Sequence, residues 1–212
     1  MRTAILYISI FTLLWSGCTR AQQPQVVQTI PPPGGFELTP EKSHPNAKAL
    51  LTDEFYWSGI EETAPFGSDD GSDAFYGFRV WRQTNKTQSP IVYLQQLIEE
   101  WDLPAFDLNI VEAAEMKKLI SDADASVAIS EDNAVIAIGF GQFVIEGKIN
   151  KDIKALTRNA IQRQLFPDLI NQFRADYRET RIIILNKMLV VVNKMNEIVF
   201  QILSSAYTED VI

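Results

Sequence analysis

From about residue 36 onward, apolar positions recur every three or four residues, and Ser, Asn and Pro punctuate the runs where helices begin. Pro45, following Ser43-His44, occupies a first-turn position and predicts a short helix to Leu51. Ser72–Arg82 places Phe75, Phe78 and Trp81/Arg82 at helical spacing, and Ser89-Pro90 opens a helix with Val92, Leu94, Leu97, Ile98 and Trp101 on a broad apolar face. Val111–Ser121 reads as helical through Ala114, Met116/Lys117 and Leu119-Ile120. Asn150 caps a predicted helix Lys151–Leu165, and Pro167 opens a short one to about Tyr177. Glu179–Ser204 closes the chain with a stripe of Ile182, Leu185, Met188/Leu189, Val192, Met195, Val199 and Ile202/Leu203, which predicts a central place in the core.

Two stretches depart from this pattern. Phe106–Ile110 reads as a short strand. Residues 126–147 are ambiguous, because their Val and Ile content suits a hairpin around Glu131-Asp132-Asn133. Ser130 followed by Glu131 and Asp132 is also a good helix start, with acids placed to suit the dipole. The helix reading is adopted for Ser130–Gly147, with Gly139 and Gly141 allowing close helix–helix approach. The expected fold class is mainly α: a single compact multi-helix domain over 36–206 with at most a short strand pair, followed by a tail, 207–212.

The beginning of the chain has a different character. Met-Arg precedes an apolar run from Ala4 to Trp15, ended by Ser16-Gly17-Cys18. Such a run is shorter than the ~20 residues a membrane-spanning helix needs, and it has the layout of an export signal over 1–17. Leu14-Trp15-Ser16-Gly17-Cys18 resembles a bacterial lipoprotein lipobox, although Trp15 stands where that family favours Leu. The resemblance implies a diacylglycerol on the Cys18 sulfur, and acyl chains worth ~0.8 kcal/mol per buried CH₂ to anchor the chain. By the same resemblance, Thr19 in place of Asp points to the outer membrane, facing the periplasm, if the source is Gram-negative. Residues 18–35 are rich in Gln, Pro and Gly, with Pro31-Pro32-Pro33 favouring extended chain, and read as a disordered tether.

Composition removes several chemistries. One cysteine among 212 residues forms no intramolecular disulfide or Cys zinc cage, and a lone histidine excludes two-His metal motifs. A net charge of −8 argues against nucleic acid as a partner. The charge is uneven: Ala49–Phe78 holds seven acids and no Lys or Arg, whereas Lys148–Lys194 holds ten bases and four acids. Those bases suit an anionic surface or an acidic partner, but their helical intervals favour solvated outer faces. Eleven of the 22 aromatics fall between Phe55 and Phe106, as core or, if exposed, as platforms for an envelope glycan.

The densest candidate site is the loop Gly67-Ser68-Asp69-Asp70-Gly71-Ser72-Asp73. Its carboxylates Asp69, Asp70 and Asp73 could hold a hard divalent cation through oxygen, with His44 as a further ligand or general base. The same residues make a helix start, Asp70 capping and Asp73 three positions on, and a lone His at a helix entrance usually caps or packs. No serine lies in a G-x-S-x-G elbow, so a triad hydrolase has no support.

Three blocks carry a resemblance. Ser43-His44-Pro45-x-Ala47 leads to Thr52-Asp53-Glu54-Phe55-Tyr56-Trp57. Ala64-Pro65-Phe66-Gly67-Ser68-Asp69-x-Gly71-x-Asp73 leads to Trp81-Arg82. Ile145-Glu146-Gly147-Lys148-Ile149 precedes the basic helix. Together, over about residues 38–175, the chain resembles the YfeS-like family of uncharacterised bacterial proteins. That family has no established reaction, so the resemblance implies positions to watch: His44, Gly67, Asp69, Gly71, Asp73, Trp81 and Arg82. Some relatives are tied to a WGR module of nucleic-acid-linked proteins, but this chain has no Trp-Gly-Arg. Other members are associated with the cytoplasm, from which the leader departs.

The expected function is a lipid-anchored binding or structural module of the cell envelope, without catalysis or cofactor, whose partner is an envelope protein or glycan. The alternative is a metal-binding protein or metal-dependent hydrolase using His44 and Asp69/Asp70/Asp73.

Overall fold

A computed structural model describes residues 37–104 and 106–197; the leader, Cys18, the tether, the tail and the predicted helical turns beyond residue 197 lie outside them. The described chain is helical, with no strand among these residues. A 3₁₀ turn at Pro40–Lys42 precedes α1 (Pro45–Leu50), and a second at Glu54–Trp57 precedes α2 (Asp69–Thr84). Then follow α3 (Pro90–Glu100), α4 (Ala113–Ala123), α5 (Ala125–Glu146), α6 (Lys151–Gln164), α7 (Pro167–Ile170) and α8 (Arg178–Lys194).

The axis of the fold is α5. It packs against α1, α2, α3, α4 and α6, and its residues from Ala134 to Val144 are buried without interruption. A helix apolar all round belongs inside a core, and 78% of its most apolar 18-residue window is buried in the molecule. Its length and composition alone would also let it cross a membrane. Close packing is possible because Gly139 and Gly141 lack side chains. A Cβ at Gly139 would stand 2.0 Å from Thr157 Oγ1 on α6, and one at Gly141 would stand 2.6 Å from Phe75 Cδ2 on α2. The two glycines expected to permit helix–helix approach do so.

Several expectations need correction. α5 begins at Ala125, not Ser130. Asp124 caps it at a φ of 70°, accepting a hydrogen bond from Ser126 N at 3.1 Å, so Glu131 and Asp132 fall inside the helix and are buried. Phe106–Ile110 is no strand: Asp107 Oδ1 accepts from Asn109 N at 2.9 Å and Ile110 N donates to Asp107 O, an Asx-type turn. The helix opened by Pro167 ends at Ile170, well short of Tyr177. The final helix belongs to the core by one face only: of the predicted stripe, Leu185, Met188, Val192 and Met195 are fully buried as expected, whereas Ile182 is exposed. α8 rests on α6 and α7, burying Ile184, Leu185, Met188 and Val192 while Ile182, Ile183 and Val190 are exposed.

Candidate functional site

The predicted site residues divide between two places. Ser68, not Asp70, caps α2: its Oγ accepts from Gly71 N at 3.1 Å, so the helix starts before the expected Ser72 and Asp69 and Asp70 stand in its first turn. Exposed Asp73 lies one turn further on. The loop ahead of this helix folds tightly on itself. A Cβ at Gly67 would stand 2.0 Å from Glu61 O, and one at Gly71 would stand 2.9 Å from Pro65 O, so both positions exclude larger residues by backbone contact. His44 caps α1, with Nδ1 accepting from Asn46 N at 3.2 Å. Among the described residues, no group of three or more His, Cys, Asp or Glu side chains is placed to hold a metal ion.

The blocks that carry the resemblance converge elsewhere, at the C-terminal end of α5. His44 N donates to Val144 O at 2.8 Å, and Asn46 Nδ2 donates to Gly147 O at 3.0 Å. Gly147 ends the helix in the left-handed region, φ 66°, and the His44 ring fills the space where a Cβ would go. From the other side comes Arg82, 6% exposed. Its Nε pairs with Glu146 Oε1 at 2.7 Å, and its Nη1 donates to Asn85 O at 2.8 Å and Gln88 O at 2.6 Å. Its guanidinium lies 5.2 Å from the Phe78 ring centroid and 5.4 Å from that of Trp81. Arg82 is therefore a clamp, binding the end of α2 and its turn to the end of α5, while Trp81 packs with Phe78 and Tyr93.

Above this junction lies an open cleft of about 510 Å³. Arg79, Arg82, Lys86 and Lys148 line it with Gln83, Ile145 and Glu146, four bases against one acid in a chain of net charge −8. Lys86 and Lys148 are exposed at its rim. Burial lowers the pKa of Arg79, and the nearby Tyr76 opposes that shift.

A second feature escaped sequence reasoning. Asp132 is fully buried, and Arg163 of α6 donates to its Oδ1 from Nε at 2.9 Å and from Nη2 at 2.5 Å. Arg163 Nη1 donates to the carbonyls of Leu108 at 2.5 Å and Ile110 at 3.1 Å, closing the turn onto the helix. Arg181 of α8, also buried, donates to Thr63 Oγ1 and Gln164 Oε1, and its guanidinium stacks 3.6 Å from the Phe173 ring centroid. Burial pushes the Asp132 carboxyl up to about 7 against the pull of Arg163, and lowers Arg181 to about 10. So at least two of the bases expected to be solvated helix faces are interior. Their helical spacing gave no sign of it, because the groups they bond, Asp132 for Arg163 and Thr63 and Gln164 for Arg181, lie on other elements.

Beside this pair, Glu131 is 0% exposed and neither of its carboxyl oxygens has a hydrogen-bond partner among the described residues. It contributes to a cleft of about 370 Å³ between α3, the 106–109 segment and α6.

No family model and no solved structure matches the chain. Over 124 residues it is 31% identical to the uncharacterized protein YfeS of Escherichia coli (strain K12). The matched stretch covers 57% of this chain and 50% of that protein, so the chain spans about half the length of the curated relative it matches. The likeness supports a YfeS-like family for this helical chain.

Proposed function

We propose that the protein is a lipid-anchored, non-catalytic binding module of the cell envelope within the YfeS-like family, held at the membrane by Cys18 and taking an anionic partner in the basic cleft. The observation that carries this reading is that one part of each sequence block, His44, Arg82 and Glu146-Gly147, meets at one junction, directly under four basic side chains. The chemically able groups there are engaged in holding the junction: Arg82 by Glu146 and two carbonyls, His44 by the α1 backbone and Gly147. That favours a scaffold presenting charge over a reacting constellation. The anchor rests on the leader and on Leu14-Trp15-Ser16-Gly17-Cys18.

Two measurements test it. Cys18→Ser should move the protein out of the membrane fraction and change its mature mass; no change in either refutes the anchor. The detergent-solubilised full chain, titrated with a labelled oligo-glutamate peptide, should bind in a salt-sensitive manner. The double variant Lys86→Glu/Lys148→Glu should weaken that binding about tenfold or more. Equal binding by the variant would remove the cleft from the reading.

A further inference from the structure

The other end of α5 carries the opposite electrostatic character. Glu131 and Asp132 are consecutive, so the ~100° turn per residue of a helix sends them to different neighbours. Asp132 meets Arg163; Glu131 faces the cleft beside α3. Arg163 cannot serve both, because its Nε and Nη2 are committed to Asp132 and its Nη1 to two carbonyls. Glu131 is thus a carboxyl out of contact with water, with no hydrogen-bonding partner for either oxygen among the described residues. Such a group is costly to ionise unless a donor or cation reaches it.

The cleft around it is suited to one kind of ligand. Ile91, Leu94 and Ile98 of α3, Phe106 and Leu108 of the turn segment, and Leu156 of α6 give it apolar walls. Glu99 and Asp107 add negative charge, and no Lys or Arg lines it among the described residues. At about 370 Å³ it lies near the lower end of the range for small-molecule sites, room for a ring or a short alkyl chain.

We propose that this cleft binds a small amphiphilic amine, with its ammonium group on the Glu131 carboxylate and its apolar body against the α3 wall. The ammonium supplies the donors that Glu131 lacks and cancels its charge. Burial, reinforced by Asp132 and opposed by Arg163, pushes Glu131 up to about 7. Below that pH the site is a neutral acid, so binding an ammonium ion converts the carboxylic acid to carboxylate and releases its proton to solvent. This site lies ~22 Å along α5 from the basic cleft at the ~1.5 Å rise per residue of a helix. The two readings share no residue, and either can fail alone.

Calorimetric titration of the full chain with phenethylamine, 3-phenylpropionate and phenethyl alcohol tests the proposal. The amine should bind about tenfold or more tightly than either isostere, as expected for a hydrogen bond to a charged group. At pH 6, titrations in buffers of differing ionisation enthalpy should report protons released on amine binding. At pH 8.5 that release should vanish. Glu131→Gln should reduce the amine to the affinity of the alcohol and abolish the release. Ile98→Trp, which keeps the carboxyl and enlarges a half-buried wall residue, should block all three ligands. Undetectable binding of the amine, an equally tight phenylpropionate, or unchanged binding by Glu131→Gln would each overturn the proposal and leave Glu131 a structural acid.

Discussion

Glu131 and Asp132 are neighbours in the chain with different environments, and both hold their protons more tightly than free carboxylic acids. Glu131 is raised to about 7 from 4.5, and Asp132 to about 7 from 3.8, in each case chiefly by burial. An unfolded chain releases these protons at the lower values, so between roughly pH 4 and pH 7 the native state binds more protons. Stability contributed by these groups is therefore greatest in mild acid and falls as pH rises toward 7. Urea unfolding at pH 5 and pH 8 should show this decline. Glu131→Gln, which cannot ionise, should be close to the parent at pH 5 and more stable by about 1–3 kcal/mol at pH 8, where the parent must hold an ionised carboxylate out of water at about 1.4 kcal/mol for each pH unit by which its pKa is raised. Parallel pH profiles for parent and variant would contradict the argument. Neither acid could be recognised as interior from the sequence. Ser130-Glu131-Asp132 has the composition of a helix start, and the residue that distinguishes the two cases, Arg163, lies 31 positions away.

At the scale of elements, the interface between α5 and α6 depends on an absent side chain. Gly139→Ala gains up to ~1 kcal/mol of helix propensity, but its Cβ would meet Thr157 Oγ1 at 2.0 Å, and overpacking costs ~1–3 kcal/mol. We expect a net loss of about 1–2 kcal/mol, and partial recovery in Gly139→Ala/Thr157→Ala, measured by denaturant midpoint. A stabilised Gly139→Ala would mean that the helices separate at little cost. Half of the helix starts among the described residues were legible because Pro45, Ser89-Pro90, Asn150 and Pro167 announce them in the chain itself. The core axis was misassigned for a physical reason. A clear apolar stripe, such as that of α4 or α6, marks a helix with one wet face. A central helix is apolar on every side and shows no stripe, which is why 126–147 resembled a pair of strands. The turn at 107–110 was missed because Leu108 and Ile110 alternate with polar residues as a strand would, while Asp107 and Asn109 supply the turn chemistry.

Across the whole molecule, two clefts of opposite sign lie along one central helix, and they do not follow the uneven charge of the sequence: Glu99, Asp107 and Glu131 all fall outside the acidic stretch Ala49–Phe78. The basic one joins segments distant in sequence, with Lys148 at the head of the basic half and Arg79, Arg82 and Lys86 following the acidic stretch. The loop of Asp69, Asp70 and Asp73 drew notice first because its residues are contiguous. The residues of both clefts are dispersed, and only the packing of α5 against α2, α3 and α6 collects them.

The buried acids have a consequence before folding. On the proposal that the leader directs export, the chain is threaded unfolded through a membrane channel, where segments are tested for partition into lipid. Ala125–Glu146 is long and apolar enough to be retained there. Glu131 and Asp132 sit within its first half, where a carboxylate is costly to insert, about 2.5–3.5 kcal/mol for Asp at the centre of such a segment and less toward its ends. On that proposal the two acids act as a pass-through mark on a helix that must reach the far side before it can become a core. In a Cys18→Ser background, Glu131→Leu/Asp132→Leu should leave the protein resistant to alkaline carbonate extraction, whereas Cys18→Ser alone should be released. Complete release of the leucine variant would show that the segment is passed through without them.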